Sequence, residues 1–174
     1  MGKLNISRFD VQPEFDMWFY AELSGEKRMD NALLEKLEER WNAWLPLLRG
    51  HAMADPSGKG GSYVLIHLEP EVDAEVDATW DESPTDGLAL HNLAVTMCMT
   101  AAQAAVPELA ENGCAPMPRP GVAVQDAFEE IGVNWSPDGS IDRKFAVFTH
   151  APYKGGCEIC HLEDTCPNSK TRRN

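Results

Sequence analysis

Three cysteines lie close together near the C-terminus as Cys157-x2-Cys160-x5-Cys166, with Gly155 and Gly156 before them and Pro167 after. Thiolates so near one another on a tight turn can grip one inorganic centre jointly, and turn amides can donate to its sulfurs. Three sulfurs leave a tetrathiolate site one ligand short. Of the two remaining cysteines, Cys114 heads the irregular segment NGCAPMPRPG, whereas Cys98 falls inside a helical pattern. Cys114 is therefore expected to complete the set. One distant cysteine, a compact triplet and a proline just after a ligand recur in iron–sulfur sites. The first expectation is a 4Fe-4S cluster on Cys114, Cys157, Cys160 and Cys166.

Other chemistry fits some of the same residues. Zinc accepts four thiolates, or three thiolates and one imidazole, so a structural zinc site could use this set with His161 replacing one sulfur. The five-residue gap after Cys160 departs from the matched pairs of zinc knuckles. Cys157-Glu158-Ile159-Cys160-His161 also spells C-x-x-C-H, the attachment sequence of haem c, with His161 as axial ligand. A third thiol nearby and a start without an export signal argue against haem. Uncoordinated thiols or a redox dithiol complete the alternatives.

The spacing of the triplet resembles the cluster cysteines of RecB-type exonucleases, which also combine one distant cysteine with a C-terminal triplet. That resemblance implies an acidic pair and a lysine holding a catalytic metal. The nearest match is Asp138 with Asp142-Arg143-Lys144, which crowds into one turn instead of spanning two strands. Nuclease activity is not expected.

The chain's charge points the same way. With 28 acidic residues against 15 lysines and arginines, its formal charge is −13. A field of that sign repels phosphate backbones, so no nucleic-acid partner is expected, while a basic protein partner is favoured. No run reaches membrane-span length, and no apolar segment follows a basic start, so neither membrane insertion nor export is expected. In the cytoplasm, thiols would be reduced or metal-bound. Elsewhere, Gly58-Lys59-Gly60-Gly61 lacks both the upstream glycine and the following helix of a phosphate-binding loop. No dinucleotide fingerprint, nucleophile elbow or His-Glu-x-x-His motif occurs, so no catalytic residue is assigned.

Several elements must position the cysteines. Residues 4–23 alternate loosely and predict extended structure broken at Pro13. Leu33, Leu37, Trp41, Trp44 and Leu48 recur at helical spacing after a capping Asp30, with Gly50 as the stop. A loop and a strand over 63–68 follow. Residues 71–80, EVDAEVDATW, alternate strictly and predict a strand with an acidic outer row, paired to its predecessor around Glu69-Pro70. Residues 88–106 are apolar nearly all round, which predicts a buried central helix carrying His91 and Cys98 on one face. A short helix near 124–131 and a hairpin of 133–136 with 141–149 complete the pattern. His67 and His150 are placed at strand ends, His150 close enough to the triplet to donate to a sulfur.

The expected fold is α+β: an antiparallel sheet, a long buried helix and a C-terminal cysteine-rich metal lobe. Residues 1–150 would form the α+β domain, and residues 151–174 the metal-binding module packed on the loop at 113–121. The expected function is a cytoplasmic iron–sulfur protein that transfers electrons or serves a redox enzyme as its protein partner. The alternative is a zinc-stabilised acidic interaction module without redox chemistry.

Overall fold

In the computed structural model, residues 2–136, 139–167 and 169 are described. Four strands, β1 (Asn5–Phe9), β2 (Leu48–Ala54), β3 (Ser62–Leu68) and β4 (Ala146–His150), form an antiparallel sheet in the order β1-β2-β3-β4. Six α-helices accompany it: α1 (Met17–Ser24), α2 (Asn31–Trp44), α3 (Pro70–Glu82), α4 (Pro84–Ala105), α5 (Glu108–Asn112) and α6 (Val122–Glu130). The expected α+β class with an antiparallel sheet is present.

The sheet is covered on both faces. Leu48, Val64, Ile66, Leu68 and Val147 pack with Leu37, Trp41, Val72, Val76, Leu93 and Met97 from α2, α3 and α4. Met53, Leu65 and Phe148 face the other way, onto Ala123, Val124, Ala127 and Phe128 of α6. Side chains alternate across a strand, so β3 contributes to two cores and is buried from Val64 to Leu68. Helix α4 begins at Pro84, earlier than periodicity suggested, because Ser83 caps it and proline suits a first helical turn.

Three local expectations fail. Residues 71–80 are helix α3, not a strand, so no hairpin turns at Glu69-Pro70. The alternation conceals Val72 and Val76 at an i, i+4 spacing. Those two are buried, while Ala74 and Ala78 face outward. Pro70 in the first turn, followed by Glu71 and Asp73 at the positive end of the helix dipole, settles the choice. The supposed acidic row is therefore split around the helix. Glu75 turns inward, accepting the Trp44 indole N–H at 2.7 Å and the Arg40 guanidinium at 2.9 Å.

The second difference lies at each end of α2. Residues 17–24 form α1, where the Asp16 carboxylate caps the Trp18 and Phe19 amides, instead of continuing an extended segment. Helix α2 stops at Trp44, a 3-10 turn carries Pro46, and Leu48 already belongs to β2. Gly50 is thus a strand residue. A Cβ there would come within 2.6 Å of Val11 and 2.9 Å of the Phe9 ring, so only glycine fits.

Third, the hairpin before β4 shrinks to one bridge between Trp135 and Ile141, and β4 itself begins at Ala146. Pro137 and Asp138, at its expected turn, lie outside the described residues, as do residues 170–174 of the expected C-terminal module. Among the described residues, no helix is long and apolar enough to cross a membrane.

The helical assignment of α3 separates two glutamates that a strand would place alike. Glu75→Ala should cost about 1–3 kcal/mol in urea unfolding, because it strips the acceptor from a buried indole N–H. Glu71→Ala, at an exposed position, should stay within about 0.5 kcal/mol. Equal losses at both positions would contradict this packing.

Candidate metal centre

Helix α5 packs Leu109 into the α2–α4 core and ends at Gly113, after which the chain must reach α6 on the other side of the sheet. It crosses between Ala115, which packs on the first core, and Met117, which packs on the second. The crossing is anchored on edge strand β4: the buried Thr149 hydroxyl donates to the Pro116 carbonyl at 3.2 Å. Cys114 lies just before this anchor and is exposed.

Strand β4 delivers the C-terminal segment to the same place. Ala151 donates its amide to Ser62 beside the start of β3, and the chain then folds back through successive tight turns. Residues Cys157–Ile159 make a 3-10 turn closed by the Cys160 amide on the Cys157 carbonyl at 3.0 Å. The Glu163 amide reaches the Cys160 carbonyl at 3.2 Å, and the Cys166 amide reaches Leu162 at 2.8 Å. The His161 amide donates to the Met117 carbonyl at 2.7 Å, tying these turns to the crossing loop. Gly156 opens the segment at φ 112°, a conformation that L side chains rarely adopt, and a Cβ there would strike the Glu158 carboxylate.

These two segments enclose a cavity of about 440 Å³. Cys114, Cys157, Cys160 and Cys166 all line it, together with Gly113, Tyr153 and Glu163. Tyr153 stands close to both Cys114 and Cys157. Its phenol is pushed up chiefly by burial, with further contributions from the sulfurs of Cys114 and Cys157 and from Glu158. Sequence reasoning did not single out Tyr153 or Glu163. Neither residue type nor spacing marks them, and the cavity alone does.

Other candidates lie elsewhere. His161 is not among the cavity's lining residues; its imidazole abuts Gly139 instead. His150 packs its ring on Tyr63 at 5.1 Å and does not line the cavity. Cys98 is buried in α4, donating its thiol to the Phe145 carbonyl at 3.4 Å, and burial pushes that thiol far up. His91, expected to share its face, is exposed against the edge of Phe145. Seven residues bring the helix to within about 20° of the same face, and both side chains meet Phe145, Cys98 from the core and His91 from the exposed rim.

Among the described residues, no group of three or more His, Cys, Asp or Glu side chains is gathered closely enough to hold a metal ion. The metal lobe expected from sequence is not supported in that form: the four thiols stand around a space rather than converging on a point. No protein-family model matches this chain, and no curated protein matches it.

Proposed function

We propose that this is an iron–sulfur protein whose Cys114, Cys157, Cys160 and Cys166 hold a 4Fe-4S cluster used for electron transfer, alone or in service of a redox enzyme. One observation carries the reading: thiols from two segments far apart in sequence line a single cavity of about 440 Å³. A lone zinc ion draws its thiolates to about 2.3 Å, which in a tetrahedron sets the sulfurs roughly 3.8 Å apart. Such a group is missing among the described residues. A four-iron cluster is instead a bulky cube that takes its ligands at the outer corners, so it calls for a walled space. Haem attachment would need His161 beside Cys157 and Cys160 in that space, and the imidazole lies against Gly139.

The surroundings suit redox use. Cys114 is exposed, so a cluster bound here would sit near the surface, within reach of a partner. Tyr153 supplies a ring that limits water at the sulfurs, and solvent exposure is one lever on cluster potential. The chain's acidic field favours a partner with a basic face. Bound metal would also tie the crossing loop to the C-terminal turns, adding its binding energy to the stability of that end of the fold.

Anaerobic purification decides the metal. The protein should be brown, with about four iron and four sulfide per chain. Cys114→Ser should lose most of that iron, while Cys98→Ser should retain it. A colourless protein with stoichiometric zinc would replace this reading with the zinc-stabilised interaction module, and sharp haem bands surviving acid-acetone extraction would replace it with covalent haem. After chelation, alkylation at about pH 8 should label Cys114, Cys157, Cys160 and Cys166 at least about tenfold faster than Cys98, because the thiolate is the reactive form and burial disfavours it at Cys98.

A further inference from the structure

At the opposite end of β3 from the cysteines, two histidines share the sheet face that α6 covers. His51 of β2 and His67 of β3 are diagonal neighbours, their rings parallel within 5° and 5.6 Å apart. His67 is 2% exposed and His51 9%. The His67 Nδ1 lies 3.1 Å from the Leu68 carbonyl, which can only accept, so Nδ1 carries the proton and Nε2 a lone pair. Among the described residues, that Nε2 is buried without a partner, and so is the His51 Nδ1. Buried polar atoms are rarely left unsatisfied in native structures, and two on stacked rings call for an explanation.

The charges acting on the pair come from β1, β2, the end of β3 and the segment before β4. Arg8 lies directly across from His51 on β1, and Arg49 directly across from His67 on β2. Glu69 follows β3, and Arg143 precedes β4. Glu69 holds Arg49 at 2.8 Å, and Asp142 holds Arg143 at 2.8 Å, which leaves Arg8 as the net charge. On a chain of −13 this is a locally positive corner, and a proton on either ring would add to it. Three guanidiniums make it unsuited to a cation. Arg8 suits a planar or tetrahedral oxyanion, which an arginine fork matches with paired hydrogen bonds, while Arg49 and Arg143, engaged with the Pro46, Leu48 and Gly132 carbonyls, add positive charge.

We propose that His51 and His67, beneath Arg8, Arg49 and Arg143, bind a small phosphate-like oxyanion together with a proton. The proton converts a bare ring nitrogen into a donor aimed at the anion, and exposed Arg8 provides the approach from solvent. In the absence of the anion, burial first, then His67 and the arginines, hold His51 down at about 4. The folded chain therefore takes up this proton less readily than the unfolded chain, whose histidine titrates near 6.5. Stability contributed by the neutral pair is full above about pH 6.5 and is lost as pH falls towards 4. The anion reverses that trend by favouring the charged ring.

Inorganic phosphate and phenyl phosphate are the probes, compared with chloride at constant ionic strength by imidazole NMR and thermal unfolding. Phosphate itself loses charge as pH falls, which alone would weaken binding. The expected result is opposite: affinity about tenfold higher at about pH 5.5 than at about pH 8, with both imidazoles shifted. Arg8→Ala, at an exposed position, should weaken binding about tenfold without altering the fold, and His67→Asn should remove the rise in affinity at low pH. Tighter binding of the ester would identify a phosphomonoester, and tighter binding of the inorganic ion a free phosphate. Cys114→Ser should bind phosphate as the parent does, so this site stands or falls apart from the cluster. Unmoved imidazole resonances, equal acid sensitivity in phosphate and chloride, or unchanged affinity in Arg8→Ala would each overturn the proposal.

Discussion

The central strand β3 constrains everything around it. Its residues from Val64 to Leu68 are buried on both faces, so each side needs its own helical cover. Helices α2, α3 and α4 supply one side, and α6 the other. The chain between α5 and α6 must then pass around the edge of the sheet, beside β4. Nothing in that passage is regular; it holds three prolines and is fixed at the Pro116 carbonyl by the buried Thr149 hydroxyl and at the Met117 carbonyl by the His161 amide. Because β4 also ends there, the crossing and the C-terminal turns meet.

That meeting gives the cysteines their meaning. Cys114 is set by the crossing and the triplet by the turns after β4, so the cavity between them depends on the whole sheet rather than on either segment. The His161–Met117 backbone bond holds the two together without involving a sulfur. A bound cluster would stabilise a junction that the backbone already makes. Removing it should leave the two cores standing, since neither is built from the cysteine turns.

Polarity is distributed with similar economy. The acidic helices carry most of the negative charge outward, yet Glu75 is turned in to satisfy the Trp44 indole. The corner at His51 and His67 runs the other way, collecting arginines from three separate positions in sequence around two neutral rings. The cysteines and the histidines occupy opposite ends of β3. One end offers soft sulfur ligands, the other hard positive donors.

By itself the sequence determined the buried helix α4, the strand at β3, the helix α2 and the compact spacing of Cys157, Cys160 and Cys166. Each follows from local periodicity or from neighbours within one turn. It left α3 open, because Val72 and Val76 satisfy both a two-residue and a four-residue period; Pro70 and the acidic first turn favour the helix, and packing in the core buries the two valines. It missed β2 for a like reason: Gly50 reads as a helix stop until Val11 and Phe9 are seen pressing on it. Tertiary structure alone brought Cys114 to the triplet, turned His161 away, and set His51 diagonal to His67. Those are contacts between distant segments, fixed by the closure of two cores around one strand, and no spacing along the chain encodes them.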